Sequence, residues 1–262
     1  MNSVLALKLF LVPSLIYAVT LAGRRWGPAV AGWLSAFPIV AGPILLAISL
    51  EQGAGFAATA AEGTLMAVFA MIAFSLVYAW SSGWMGVAGA MPVALGAWAL
   101  AVAGLQSVRL PLPFAALAVV AALLAAPRLF PPRSSAPAAI GAAQVARRGG
   151  DLPWRMLAGA VLVMSVSAAA AGLGPRLSGF FAMFPVMGTV LVGFTHVQAG
   201  RDSAVQLLRG TMLGYFAFAA FCVAIALLLR AQAVAVSFFC AFVFALTIQL
   251  LAKAASSRRQ AT

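Results

Sequence analysis

An all-α, polytopic membrane protein of about nine transmembrane helices, built as two inverted four-helix repeats joined by a connecting helix, is the fold class the sequence predicts. Three observations predict it. The 262-residue chain is 65% hydrophobic and 8% charged, with mean hydropathy +1.09, more apolar surface than a water-soluble domain of this length can hide. Residues 27–74 recur without a gap at 174–221, a constant offset of 147 positions. The basic residues gather at the ends of the apolar runs, as they do where charge orients helices in a bilayer.

The apolar runs give spans at 3–23, 27–50, 56–80, 84–105, 110–127, 156–173, 176–198, 203–229 and 232–252. Each is long enough to cross about 30 Å of hydrocarbon at about 1.5 Å per residue. The first span reads as a retained helix. It has no basic segment ahead of it, and Lys8 falls opposite Arg155 at the repeat offset. Residues 1–105 then form the first repeat (helices 1–4), and 106–130 hold connecting helix 5. A cytoplasmic loop at 131–155, the second repeat at 156–252 (helices 6–9) and a basic cytoplasmic tail at 253–262 follow.

Nine crossings put Arg24, Arg25, Arg128, Arg133, Arg147, Arg148, Arg155, Arg201, Lys253, Arg258 and Arg259 on one face. Lys8, Arg109, Arg176 and Arg230 fall on the other. That bias places the first face in the cytoplasm, the N-terminus outside and the C-terminus inside, as expected for a bacterial inner membrane. Five crossings precede helix 6, so the second copy enters from the opposite side. The repeats are expected to be inverted.

Net charge +12 would suggest nucleic acid in a soluble protein. Here no basic face interleaved with aromatics exists, so nucleic acid is excluded as a partner. The expected partners are the bilayer, anionic headgroups on the cytoplasmic face, a small-molecule substrate, and a second copy or a partner subunit. Cys222 and Cys240 lie in apolar segments and read as small buried hydrophobes. His196 is the only histidine, and no metal site or cofactor is indicated. With four acids in the chain, no nucleophile–base constellation is available and an enzyme is not expected. No P-loop argues for an ATP-driven pump.

The recurring residues include helix breakers. Helix 2 holds Phe37-Pro38 and then Gly42-Pro43, and helix 7 holds Phe184-Pro185 and then Gly188-Thr189. Proline removes a backbone donor and clashes with the preceding turn, while glycine relaxes the backbone. Near mid-membrane, freed carbonyls survive only against protein or a polar cavity. Half-helices restarting near Pro43 and Val190 would aim free amides at the centre of the protein, and Thr189 would add a hydroxyl. The same breaks also read as proline kinks that shape packing, and the phenylalanines as core.

Glu62 and Arg209 occupy equivalent positions of the two copies, ahead of Gly63-Thr64 and Gly210-Thr211. Ionisable groups inside membrane helices are functional candidates, with snorkelling to the interface as the alternative. Inversion separates the two by about 10 Å in depth, which strains a direct pair. Arg209 is instead level with the half-helix near Val190, suggesting an anion site there, and Glu62 is the candidate proton carrier. His196, Glu51, Gln198 and Asp202 lie near helix ends and read as interfacial.

With Gly32 leading to Phe37-Pro38 and Gly179 to Phe184-Pro185, each copy resembles the GlpM-type family of very small bacterial inner-membrane proteins. The likeness covers about 50 residues per copy; helix 5 and the duplication depart from it. It implies a link to envelope polysaccharide production without a mechanism.

Together these readings point to a secondary transporter or exporter of a small molecule, driven by the proton gradient, an anion being one candidate class. Its site would lie at mid-membrane between the two broken helices. The alternative is a non-transporting accessory protein for envelope biosynthesis or complex assembly, its breaks acting as packing devices.

Overall fold

A computed structural model of the chain describes residues 3–38, 41–132, 151–170 and 184–261. Its elements are all helices: α1 (Ser3–Trp26), α2 (Pro28–Ser35), α3 (Ala41–Gln52), α4 (Ala54–Ser81), α5 (Val87–Leu105), α6 (Leu112–Leu129), α7 (Leu152–Ala170), α8 (Val186–Leu228) and α9 (Val234–Ala261). Five of them (α4, α5, α6, α8 and α9) are long and apolar enough to cross a membrane. The chain is a helical membrane protein. Gly174, Pro175 and Gly179 of the second copy, and residues 133–150 of the 131–155 loop, lie outside the described residues.

Sharp joints replace loops where glycine permits them. Gly53 sits between α3 and α4 at φ 91°, and Gly200 kinks α8 at φ 81°. A side chain would be strained there, so a helix can reverse over one residue only at glycine. The two glycines stand at the 147-residue offset of the sequence repeat. Gly27 makes the same joint between α1 and α2 at φ 95°.

The centre of the molecule is α4 and α8. Ala57, Ala60, Ala61, Leu65, Phe74 and Tyr78 of α4 are fully buried, as are Ala217, Phe221 and Cys222 of α8. Cys240, expected to be buried, is exposed on α9 and faces away from this core. Apolar side chains such as Leu117, Phe239 and Leu250 cover the outer faces of α6 and α9, as lipid contact requires.

Without a hydrophobic drive between helices in lipid, close backbone approach does the packing, and small residues permit it. α2 lies against the second part of α8 in this way. A Cβ at Gly32 would fall on the Leu207 carbonyl, one at Gly210 on the Ala29 carbonyl, and one at Gly214 on Trp33 and Ala36. Three glycines therefore set this interface.

Candidate functional site

The first predicted break is present. α2 ends at Ser35, and the chain restarts as α3 at Ala41. Pro38 has no N–H for the Leu34 carbonyl, and the Phe37 N–H takes that role at 3.2 Å. The Trp33 carbonyl then loses its helical donor. Gln249 of α9, 2% exposed, donates its side-chain amide to it at 2.9 Å. An unmet carbonyl at that depth would be costly, so α9 is the support that lets α2 stop. Pro43 falls in the first turn of α3, where a missing donor costs little. The restart comes two residues earlier than expected for that reason.

Of the second predicted break, only the restart lies within the described residues. Pro185 caps α8 at φ −73°, ψ 50°, the shape of a tight inverse turn, and the Val186 N–H donates to the Phe184 carbonyl at 2.7 Å. The Thr189 N–H donates to the Pro185 carbonyl at 2.7 Å. The half-helix thus starts at Val186 rather than near Val190, and Gly188-Thr189 lie inside its first turn.

Aromatic side chains hold both breaks. Phe37 meets Phe242 of α9 with ring centres 6.4 Å apart, and Phe242 stands 4.8 Å from Phe221. A Cβ at Gly42 would strike the Phe242 ring. Phe184 meets Trp98 of α5 edge-on at 4.9 Å, and Gly188 lies against Phe74. Each break is braced by the final helix of the other half of the chain. Pro38 and Pro185 are both buried.

Thr189 lines a groove of about 760 Å³ between α5, α7 and the first part of α8, with Val87, Met91, Leu157, Val161 and Phe194. No residue of the first break lines it. The Thr189 hydroxyl is buried and has no hydrogen-bond partner.

The intramembrane charges have other partners than their pseudo-equivalence suggests. Glu62 binds Arg230, in the turn between α8 and α9, at 2.6 Å. The pair is half open, with 35% and 54% of the side chains exposed. Arg209 donates to the Pro131 carbonyl at 2.5 Å and lies 5.2 Å over the Phe130 ring, at the end of α6. It does not line the groove that holds Thr189.

A third cluster went unread in the sequence. Arg155 of α7 is 2% exposed. It donates to Asp151 at 2.5 Å and to Gln198 of α8 at 2.8 Å, and it stacks 5.1 Å over Phe194. Arg24, at the end of α1, also pairs with Asp151. Burial would raise the Asp151 pKa, but hydrogen bonds from Arg155 and Gln198 and the charges of Arg155 and Arg24 hold it below the ordinary carboxylate value. Next to this cluster, His196 Nδ1 shares a 2.8 Å hydrogen bond with the buried Tyr78 hydroxyl, so His196 is a packing partner of α4. The Asp151–Arg155 spacing of four residues was the one local sign of this network.

Comparison with known proteins finds no family model, no curated relative and no solved structure that matches the chain.

Proposed function

We propose that the chain is a secondary transporter or exporter of a small molecule in a bacterial inner membrane, built from two inverted repeats over nine crossings. The observation that carries this reading is the matched discontinuity. At a spacing of 147 residues helices start after Phe37-Pro38 and after Phe184-Pro185, and left-handed glycines follow at Gly53 and Gly200. Interrupted helices in corresponding positions of two halves are the usual pointer to a transport site. The crossed bracing, Phe37 on α9 and Phe184 on α5, supports an inverted relation between the halves.

The basic end of the molecule, where Arg24, Arg155 and Arg201 lie, faces the cytoplasm in this reading, and the Glu62–Arg230 pair lies at the outer end. A proton-coupling role for Glu62 then requires that Arg230 release it during the cycle. An anion site at Arg209 requires that the guanidinium leave Phe130 and Pro131. The accessory reading has its own support: Phe242 and Trp98 fill the space beside the two breaks, as packing devices would. The GlpM-type likeness remains compatible with either.

Reconstitution decides between them. Proteoliposomes under an imposed pH gradient should show chain-dependent proton flux on addition of a permeant's substrate class, scanned over small organic anions and neutral solutes. No flux with any class would leave the accessory reading. In a background lacking Cys222 and Cys240, Ser107→Cys should label from outside and Ile140→Cys only after permeabilisation. Labelling of both from one side would remove helix 5 as a crossing, and the inverted repeat with it.

A further inference from the structure

The groove beside Thr189 has dimensions and chemistry that point to its occupant. Its α7 wall runs from Trp154 to Ser165, eleven residues, or about 16 Å at the helical rise. Half of a bilayer's hydrocarbon is about 15 Å thick. The wall therefore spans one leaflet, from the basic end of the molecule to mid-membrane. Trp154, Leu157, Val161 and Val197 on its rim are 64%, 53%, 58% and 70% exposed, so it opens sideways towards lipid. Its lining is apolar apart from Ser165 and Thr189, and Ser165 spends its hydroxyl on the Val161 carbonyl at 2.9 Å. Gly193 forms the floor, with no atom nearer than 3.5 Å to a Cβ built there.

A cation stands beside the basic end of the groove, outside its lining. Arg201 follows Val197 by four residues across the Gly200 joint and lies against Gly83, in the turn that leads into α5 and its groove residue Val87. One guanidinium nitrogen donates to the Ala79 carbonyl at 3.1 Å, and Nε is buried without a hydrogen-bond partner. Its pair with Asp202 is loose, at 3.9 Å. An exposed tryptophan at the same level marks the headgroup region.

We propose that this groove binds one acyl chain of an anionic phospholipid from the cytoplasmic leaflet, with the headgroup phosphate at Arg201. The site is independent of whether the chain transports anything, although it uses the orientation given above. A lipid there covers the gap between α7 and α8 that no helix of the described chain fills.

Native mass spectrometry of the detergent-purified full chain tests this, using phosphatidylglycerol and phosphatidylethanolamine with identical acyl chains. The wild type should retain phosphatidylglycerol about tenfold more tightly. Gly193→Leu, which fills the floor, should abolish retention of both lipids. Val197→Trp, at an exposed rim position that folding tolerates, should do the same, while Leu124→Trp on the outer face of α6 should not. Arg201→Gln should remove the preference for phosphatidylglycerol and keep acyl-chain binding. Equal retention by wild type and both groove variants would overturn the site. Equal affinity of the wild type for the two lipids would overturn the role of Arg201.

Discussion

The two parts of α8 on either side of Gly200 are packed in opposite ways. Beyond the kink, Gly210 and Gly214 bring the backbone of α2 into contact, and nothing with a side chain would fit. Before it, Gly193 faces a groove and meets only the distant ends of Met91 and Val87. Glycine in a membrane helix therefore serves two purposes that sequence alone does not separate: close approach in one place and open volume in the other. The packed part also supports the break in α2, while the open part is held by side-chain hydrogen bonds at its basic end. Stability should accordingly be concentrated on one side of Gly200.

The sharpest way to break this comparison is to give both parts a side chain. Gly210→Val should place atoms on the Ala29 backbone and cost above about 3 kcal/mol, since backbone cannot move aside as a flexible side chain can. For a chain of this size that corresponds to a fall of roughly 6–12 °C in thermal midpoint in detergent. Gly193→Ala should stay within about 1 kcal/mol. Equal losses at the two sites would mean the groove is closed in solution.

Asp151→Asn comes next. It leaves Arg155, 2% exposed, without its carboxylate and loosens the pin between α1, α7 and the open part of α8. A loss of roughly 2–3 kcal/mol is expected, less than for a fully dry pair because Asp151 and Arg24 retain 12% and 15% of their side-chain exposure. The pH dependence has a definite sign. Because the folded-state pKa of Asp151 lies below its ordinary value, its contribution is present above the ordinary carboxylate range and fades as the pH falls through the folded pKa. Thermal midpoints of the wild type should drop on acidification through that range, and those of Asp151→Asn should drop less. Parallel curves would show that the network does not hold the helices.

Gln249→Leu probes the packed side from α9. Stranding the Trp33 carbonyl should cost about 1–2 kcal/mol, and the adjacent Phe37–Phe242 contact should persist. Gln249→Glu, protonated at that depth, should recover part of the loss through its remaining donor. No effect of Gln249→Leu on the thermal midpoint would mean that water or lipid satisfies the carbonyl.

What was legible in the sequence follows from the range of each interaction. The broken helix at Phe37-Pro38 was legible, because proline acts on its own turn. The separation of the second and third spans was legible too, but the one-residue joint at Gly53 was not read from the sequence. The restart points were placed two to four residues late, because Gly42-Pro43 and Gly188-Thr189 look like breakers and yet fit a first turn, where donors are free. Gln249, Asp151 and the groove were not legible. Each depends on helices distant in sequence meeting at one depth, and an amide in an apolar run gives no sign of which carbonyl it will serve. Glu62 shows the limit most clearly. Its counterpart at the repeat offset is Arg209, but inversion sets equivalent residues at different depths, and the cation at its own depth comes from the α8–α9 turn.

That pair gives the smallest expected effect. With 35% of Glu62 and 54% of Arg230 exposed, water and salt screen the attraction, and holding two long side chains together costs entropy. Glu62→Gln should therefore change stability by no more than about 1 kcal/mol, and the double change with Arg230→Gln should show coupling of the same order. The coupling should shrink further at high salt. If Glu62 also carries a proton during transport, Glu62→Gln should abolish proton flux in proteoliposomes while leaving the thermal midpoint almost unchanged, because the amide keeps the shape and loses the titratable group. A large stability loss would place the pair in the structural frame with Asp151 and take Glu62 out of the transport cycle.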